Sequence, residues 1–265
     1  MVQMCSTADL AANLAEACRW VGEAAAAGAK LVALPENFAC LCREGEAITC
    51  AQGLDGEIVG ELRRWAQRHR LYLLGGSFPE VIPGEKRVYN TSVFITPNGE
   101  IGAVYRKIHL FDVDLSAAGG AHFQESARIA PGNELCVAET EFGGVGLSIC
   151  YDLRFPELYR ALVDRGARFL AVPSAFTCET GKDHWAILLR ARAIENQCFV
   201  LAPAQWGRHA PDRTSYGRAL IADPWGIVIA QAPDQPCAIV ADCCLETQDR
   251  LRVALPALSH RRLRG

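Results

Sequence analysis

The chain has 265 residues, half of them hydrophobic and 22% charged, with a formal net charge of −3. That balance excludes a disordered or fibrous chain, and the lack of a basic surplus argues against a nucleic-acid partner. The longest apolar run, 217–228, is broken by Asp223, Pro224 and Gly226, and MVQMCSTADL lacks the basic start and apolar stretch of a secretory leader, so no membrane span and a cytoplasmic location are expected.

Residues 1–5 predict the tail of a first strand that begins abruptly. Ser6 or Thr7 can cap the helix that follows, whose apolar positions run Leu10, Leu14, Cys18 and Val21, with Gly28 at its C-terminal end. KLVAL (30–34) predicts a buried strand that stops at Pro35-Glu36. Residues 57–70 predict an amphipathic helix and 71–77 a strand. Strands at 88–95 and 101–105 flank Pro97-Asn98-Gly99 as a hairpin. Residues 107–131 have no clean period and predict a long loop, the kind of segment that often carries function.

Strands follow at 136–140 and 145–149, a helix at 155–164, a strand at 168–172 and a strong helix at 183–196. The end of the chain predicts a strand at 198–202, a hairpin of 218–222 with 227–230, a strand at 238–242 and a short helix at 246–253. A basic tail, 260–264, predicts a solvated terminus or a partner contact. Helices alternate with strands and inserted hairpins, which predicts α/β layers with mixed sheets in one domain.

Twelve cysteines are irregularly spaced with no CxxC pair, so neither a zinc site nor a disulfide framework is expected, and most read as small buried groups. Cys150 differs, because it ends an apolar strand just where charge begins: GLSICYDLRF. Glu36 and Lys107 also sit at strand ends beside irregular backbone, the place where α/β proteins put reactive groups.

Together the three could open a C–N bond. A carboxylate takes the thiol proton, and for work near neutral pH its pKa is expected to be raised. An ammonium and the N–H of Tyr151 steady the oxyanion, each donor worth about 3–4 kcal/mol. The acid then protonates the departing nitrogen, and water hydrolyses the thioester. A Cys150 pair with His109 or His184 is the alternative thiol chemistry. His184, at the start of an apolar helix, reads more simply as a structural hydrogen-bonding group.

Seven ordered blocks carry a family resemblance: LPENF (34–38), YRKIHLFDVD (105–114), FQES (123–126), GLSICYDLRFPEL (146–158), PSAF (173–176), HWAILLRARAIENQ (184–197) and YGRALIADPWG (216–226). The chain resembles the nitrilase superfamily of carbon–nitrogen hydrolases over its whole length, 1–265. The resemblance implies an α-β-β-α sandwich that pairs into homodimers or larger homo-oligomers. It implies a Glu36–Lys107–Cys150 triad with Glu125 as a second glutamate beside it, and neither metal nor organic cofactor. The blocks are most similar to the Nit1-like branch, which implies an amidase that clears deaminated glutathione as metabolite repair. ω-Amidase action on α-ketoglutaramate stays open, as does a non-catalytic binding protein of the same fold.

Arg154, four residues after Cys150, can grip a substrate carboxylate, or else pair with Asp152 or Glu157. Tyr151, Phe176 and Thr177 are further candidates to line the pocket. Three departures from the family pattern stand out. The first strand is shorter than family members usually have. The loop 117–126 is longer than usual before Glu125, and Arg218 replaces a histidine often seen after Tyr-Gly.

Overall fold

The computed structural model describes residues 1–43, 45–116 and 122–263. In chain order the elements begin with β1 (Val2–Met4), α1 (Leu10–Ala26), β2 (Leu31–Ala33), α2 (Glu57–His69), β3 (Tyr72–Leu74), β4 (Phe78–Val81), β5 (Val88–Ile95) and β6 (Ile101–Arg106). They continue with β7 (Asp112–Asp114), β8 (His122–Gln124), β9 (Ile129–Ala130), β10 (Val137–Ala138), β11 (Gly144–Leu147), α3 (Pro156–Asp164), β12 (Ala167–Ala171) and α4 (Cys178–Asn196). The remainder is β13 (Phe199–Ala202), β14 (Ala204–Ala210), β15 (Arg213–Tyr216), β16 (Leu220–Ala222), β17 (Val228–Gln231), β18 (Cys237–Ala238) and α5 (Leu245–Ala254).

The period-two alternation of the strands sorts side chains into layers. Leu73, Val93 and Ile95 point to one face and pack with Leu14, Val21, Leu62 and Trp65 of α1 and α2. Their neighbours Leu74 and Phe94 point the other way, toward Leu147, Phe169, Leu201 and Ile221 of a second sheet. Leu170 and Val200 then face Leu158, Leu162, Trp185 and Leu189 of α3 and α4. The result is an α-β-β-α sandwich with mixed sheets, as expected.

The first sheet runs β2-β3-β5-β4, with β6 and β9 also paired to β5. The second runs β10-β11-β12-β13-β16-β17, parallel at its centre through β11, β12 and β13 and antiparallel at its edges. A four-stranded sheet, β15-β14-β1-β18, joins the start of the chain to its later strands. Among the described residues, no helix is long and apolar enough to cross a membrane.

Several expectations need correction. Helix α1 is capped by Asp9, whose side chain accepts from Ala12 N–H at 3.0 Å. Ser6 instead donates to the Phe38 carbonyl at 2.8 Å, and the Thr7 hydroxyl accepts from Asp9 N–H. The segment 107–131 is not all loop, because β7 and β8 form a small hairpin and β9 joins β5. Strands β14 and β15 went unpredicted, since Gly207, Arg208 and Pro211 interrupt any alternation. Helix α4 starts five residues earlier than its apolar pattern, capped by Thr177. In the basic tail Arg261 pairs with Asp164 at 2.6 Å, and Arg264 lies outside the described residues.

The largest correction concerns the thiols. Cys40 and Cys50 form a disulfide, with Cα atoms 6.5 Å apart. The segment between them has no helix or strand among its described residues and folds back on itself, which no sequence period reveals.

Gly76 shapes the turn that holds Glu36. It has φ +53°, and a Cβ there would collide with the Pro35 carbonyl oxygen. Gly76→Ala is therefore expected to cost about 2–4 kcal/mol, from the left-handed backbone and the overlap together. Thermal unfolding measures this, and an unchanged Tm would show that the turn relaxes freely.

Candidate active site

Strand ends of both sheets deliver the reactive groups to one cavity of about 380 Å³. Glu36 follows β2 of the first sheet. Its neighbour Asn37 takes φ +53° and donates its N–H to Ser77 Oγ at 3.0 Å, so the turn is fixed from both sides. Gln205 Nε2 donates to the Glu36 carbonyl at 3.0 Å and to Ser6 Oγ at 2.8 Å. Lys107 follows β6, which pairs with β5 of that sheet, and its N–H donates to the Asn90 carbonyl at 2.9 Å.

Cys150 comes from the second sheet, just beyond β11. It opens a short 3-10 turn with φ +48°, a conformation that β-carbon-bearing residues rarely adopt and that costs about 1–3 kcal/mol. Buried Asp152 over-determines that turn. It accepts from Ile149 N–H at 2.8 Å, Tyr105 O–H at 2.6 Å and His109 N–H at 3.0 Å. The Cys150 N–H itself donates to the Pro173 carbonyl at 3.0 Å.

The side chains then meet. Lys107 Nζ donates to Glu36 Oε1 at 3.1 Å and to Glu125 Oε1 and Oε2 at 3.0 and 2.9 Å. The Cys150 thiol is hydrogen-bonded to Glu36. Asn90 Nδ2 donates to Glu36 Oε1 at 2.9 Å, and Ala175 N–H to Oε2 at 2.8 Å. Glu125, in the turn after β8, also accepts from Phe111 N–H at 2.6 Å. Glu36 and Lys107 are only 3% and 2% exposed, so the pairs act with little solvent screening.

Burial sets the protonation states. It pushes the Glu36 carboxyl up, but the Lys107 charge and hydrogen bonds from Cys150, Lys107 and Ala175 outweigh it, leaving Glu36 below its ordinary value. The raised base expected from sequence is thus corrected. Burial pulls the Lys107 ammonium down, but Glu125, Glu36 and Cys150 more than reverse this and hold it well above the usual lysine value. Burial and the Glu36 charge push the Cys150 thiol well up, against Lys107. The resting site is therefore carboxylate, ammonium and neutral thiol.

Tyr151, Phe176 and Thr177 line the cavity. Arg154 does not line it. Its guanidinium lies 3.3 Å from His184 Nδ1 and stands 5.8 and 5.6 Å from the Tyr151 and Phe176 ring centres, behind the aromatic wall. Neither Asp152 nor Glu157 is its partner there. His109 is tied to Asp152 at 2.7 Å and stacks on Phe155, and neither His109 nor His184 lines the cavity. That removes the geometric basis for a Cys–His pair with either residue. Residues 117–121, the first half of the longer loop, lie outside the described residues.

Sequence reasoning missed Asn90, Asp152 and the Ala175 N–H as supports. An asparagine inside the buried run VYNTSVFI was the one available signal. Arg218 has φ +62° and pairs with Asp234 at 2.7 Å.

An α-β-β-α sandwich that brings an acid, a lysine and a thiol to one cavity defines a class, the carbon–nitrogen hydrolases. The chain belongs to the carbon-nitrogen hydrolase family, whose profile matches residues 1–252. It is 44% identical over 263 residues to a Synechocystis deaminated glutathione amidase, covering 98% of this chain and 96% of that one. It is 40% identical over 266 residues to the human deaminated glutathione amidase, covering 98% and 80%. Among solved structures, the Caenorhabditis elegans NitFhit protein superposes with a TM-score of 0.90 at 39% identity, covering 98% of this chain and 64% of that one.

The protonation pattern sets a pH test. A carboxylate accepts a thiol proton only when ionised, so with Glu36 as the base kcat/KM is expected to fall only once pH drops through a value below about 4.5, the ordinary carboxylate point. A limb near pH 6–7, the histidine range, would contradict this assignment. Cys150→Ala is expected to remove turnover with folding intact, and Glu36→Gln to lower kcat by about 10²-fold or more, measured in the same assay.

Proposed function

We propose that the chain is a thiol-dependent amidase that converts deaminated glutathione to 2-oxoglutarate and cysteinylglycine. The observation that carries the chemistry is the contact of Glu36 with both Lys107 and Cys150 in one buried cavity. The names of relatives at 40–44% identity support the substrate. A volume of about 380 Å³ fits a ligand of this size better than a simple nitrile.

Glu36 takes the thiol proton as the Cys150 sulfur attacks the amide carbonyl. The Lys107 ammonium and the Tyr151 N–H steady the oxyanion, about 3–4 kcal/mol for each well-placed donor. Protonated Glu36 passes its proton to the departing nitrogen, leaving a thioester on Cys150. Water then attacks the thioester, Glu36 takes the water's proton, and the thiol returns. Glu125 orients Lys107 throughout. Glu36 can serve as both base and acid because its ordinary charge is held by Lys107 and its proton comes from the sulfur beside it.

In this reading the chain acts as one domain in the cytoplasm. A side-by-side rate measurement tests the substrate: kcat/KM for deaminated glutathione is expected to exceed those for α-ketoglutaramate and simple nitriles by tenfold or more. A preference for α-ketoglutaramate would move the assignment to an ω-amidase, and binding without turnover of any of the three to a binding protein. Arg154 stands outside the cavity, beside His184 and the Tyr151 and Phe176 rings, so Arg154→Ala is expected to change KM for carboxylate substrates and neutral amides alike; a rise confined to carboxylate substrates would return it to the substrate.

The chain is also assigned to a homo-oligomer. Ile187 and Ile194 of α4 and Trp225 and Ile227 of the β16–β17 turn are 68, 51, 61 and 54% exposed, and the turn packs against Ile194 and Arg190. A second copy of that face would cover them. Light scattering should find a dimer or larger species, and a smaller one after Ile187→Asp; a monomeric parent protein would end this part of the reading.

A further inference from the structure

Three sulfurs stand in the wall of the catalytic cavity, and the amidase chemistry uses none of them. Cys40, Cys42 and Cys50 all line it, and their Sγ atoms lie within 4.8 Å of one another. Cys40 and Cys50 share the disulfide, and Cys42 Sγ is 3.5 Å from Cys40 Sγ. A disulfide sulfur carries no proton, so in this contact the Cys42 thiol is the donor and Cys40 the acceptor. Burial pushes the Cys42 thiol above its ordinary value, against Arg213 and Arg128, which keeps the donor protonated at neutral pH. Cys40 is 4% exposed, whereas Cys50 is half-buried.

We propose that Cys40, Cys42 and Cys50 form a thiol–disulfide exchange site that takes a small thiol from the cavity as a mixed disulfide on Cys50. The incoming thiol first loses its proton to solvent. Its thiolate attacks Cys50 Sγ, the more accessible of the two bonded sulfurs, and a new S–S bond joins ligand to Cys50. The Cys40–Cys50 bond breaks, and its electron pair leaves on Cys40. That thiolate is steadied by the Cys42 S–H beside it and then takes a proton from solvent. One disulfide replaces another, so no oxidant or reductant is consumed. Leaving-group stabilisation is what sets such rates once access is granted.

Two features of the fold suit this step. The described residues of 39–50 form no helix or strand, so the sulfurs can separate without breaking a sheet ladder. The site also begins only four residues after Glu36, and a ligand held on Cys50 occupies the space a substrate needs. The exchange goes beyond the amidase reading and depends only on the cavity.

Reduced glutathione is the probe, added to the full-length Cys150→Ala protein so that the hydrolytic thiol takes no part. Timed alkylation, intact mass and peptide mapping follow the reaction. The expected result is one glutathione on Cys50 and one newly free thiol on Cys40. Cys42→Ala is expected to slow the reaction about five- to tenfold, the effect of one lost hydrogen bond, and Cys42→Ser to restore part of the rate. The proposal is overturned by a peptide map without the Cys40–Cys50 link, by adducts confined to other cysteines, or by equal rates in all three proteins. Hydrolysis is not read in any arm, so failure here leaves the amidase assignment standing, and failure of that assignment leaves the exchange standing.

Discussion

A lysine ammonium held between two carboxylates, away from water, governs this site. Removing one such ion from solvent costs several kcal/mol, and only close partners offset that. Lys107 meets Glu36 and Glu125 within 3.1 Å, and the arrangement fixes everything around it. The positive charge keeps Glu36 ionised despite its burial. Ionised Glu36 in turn keeps the Cys150 thiol protonated by raising its pKa. The thiol is thus held protonated, beside a carboxylate able to take its proton. Deleting the lysine would leave two buried acids facing each other, so the same residue serves the fold and the chemistry.

The remaining structure holds that contact in register. Asp152 gathers a strand end, a tyrosine and a histidine loop onto one carboxylate, and so stabilises the strained backbone at Cys150. Asn90 serves twice, with its carbonyl holding Lys107 and its amide holding Glu36. Gln205 links the Glu36 turn to Ser6, reaching from the third sheet into the first. Cys150 carries backbone strain that hydrogen bonds from several elements sustain.

Much of this was legible in the chain. Long helices with a clear apolar period, such as α1 and α2, matched their expected spans within a residue or two at most ends. Glu36, Lys107 and Cys150 were visible because each is polar where a buried strand stops. Glu125 was visible only through the family resemblance, since nothing in FQES alone marks it. Short paired strands escaped, because β7 with β8 and β14 with β15 carry little alternation of their own. The Cys40–Cys50 link escaped because irregular cysteine spacing marks no pair. Glu36 was expected to be raised because burial was weighed without the adjacent ammonium. Arg154 was placed in the pocket because its four-residue spacing from Cys150 says nothing about where a long side chain turns.

The acid and the lysine belong to one sheet and the thiol to the other, with mainly apolar packing between the layers and a few hydrogen bonds, such as Tyr105 to Asp152 and Ala175 to Glu36, crossing it at the site. Hydrocarbon contacts tolerate a slight slip far better than a hydrogen bond does. Warming or mild denaturant could therefore part the reacting atoms while both sheets remain intact, and loss of turnover would report that displacement before any spectroscopic sign of unfolding.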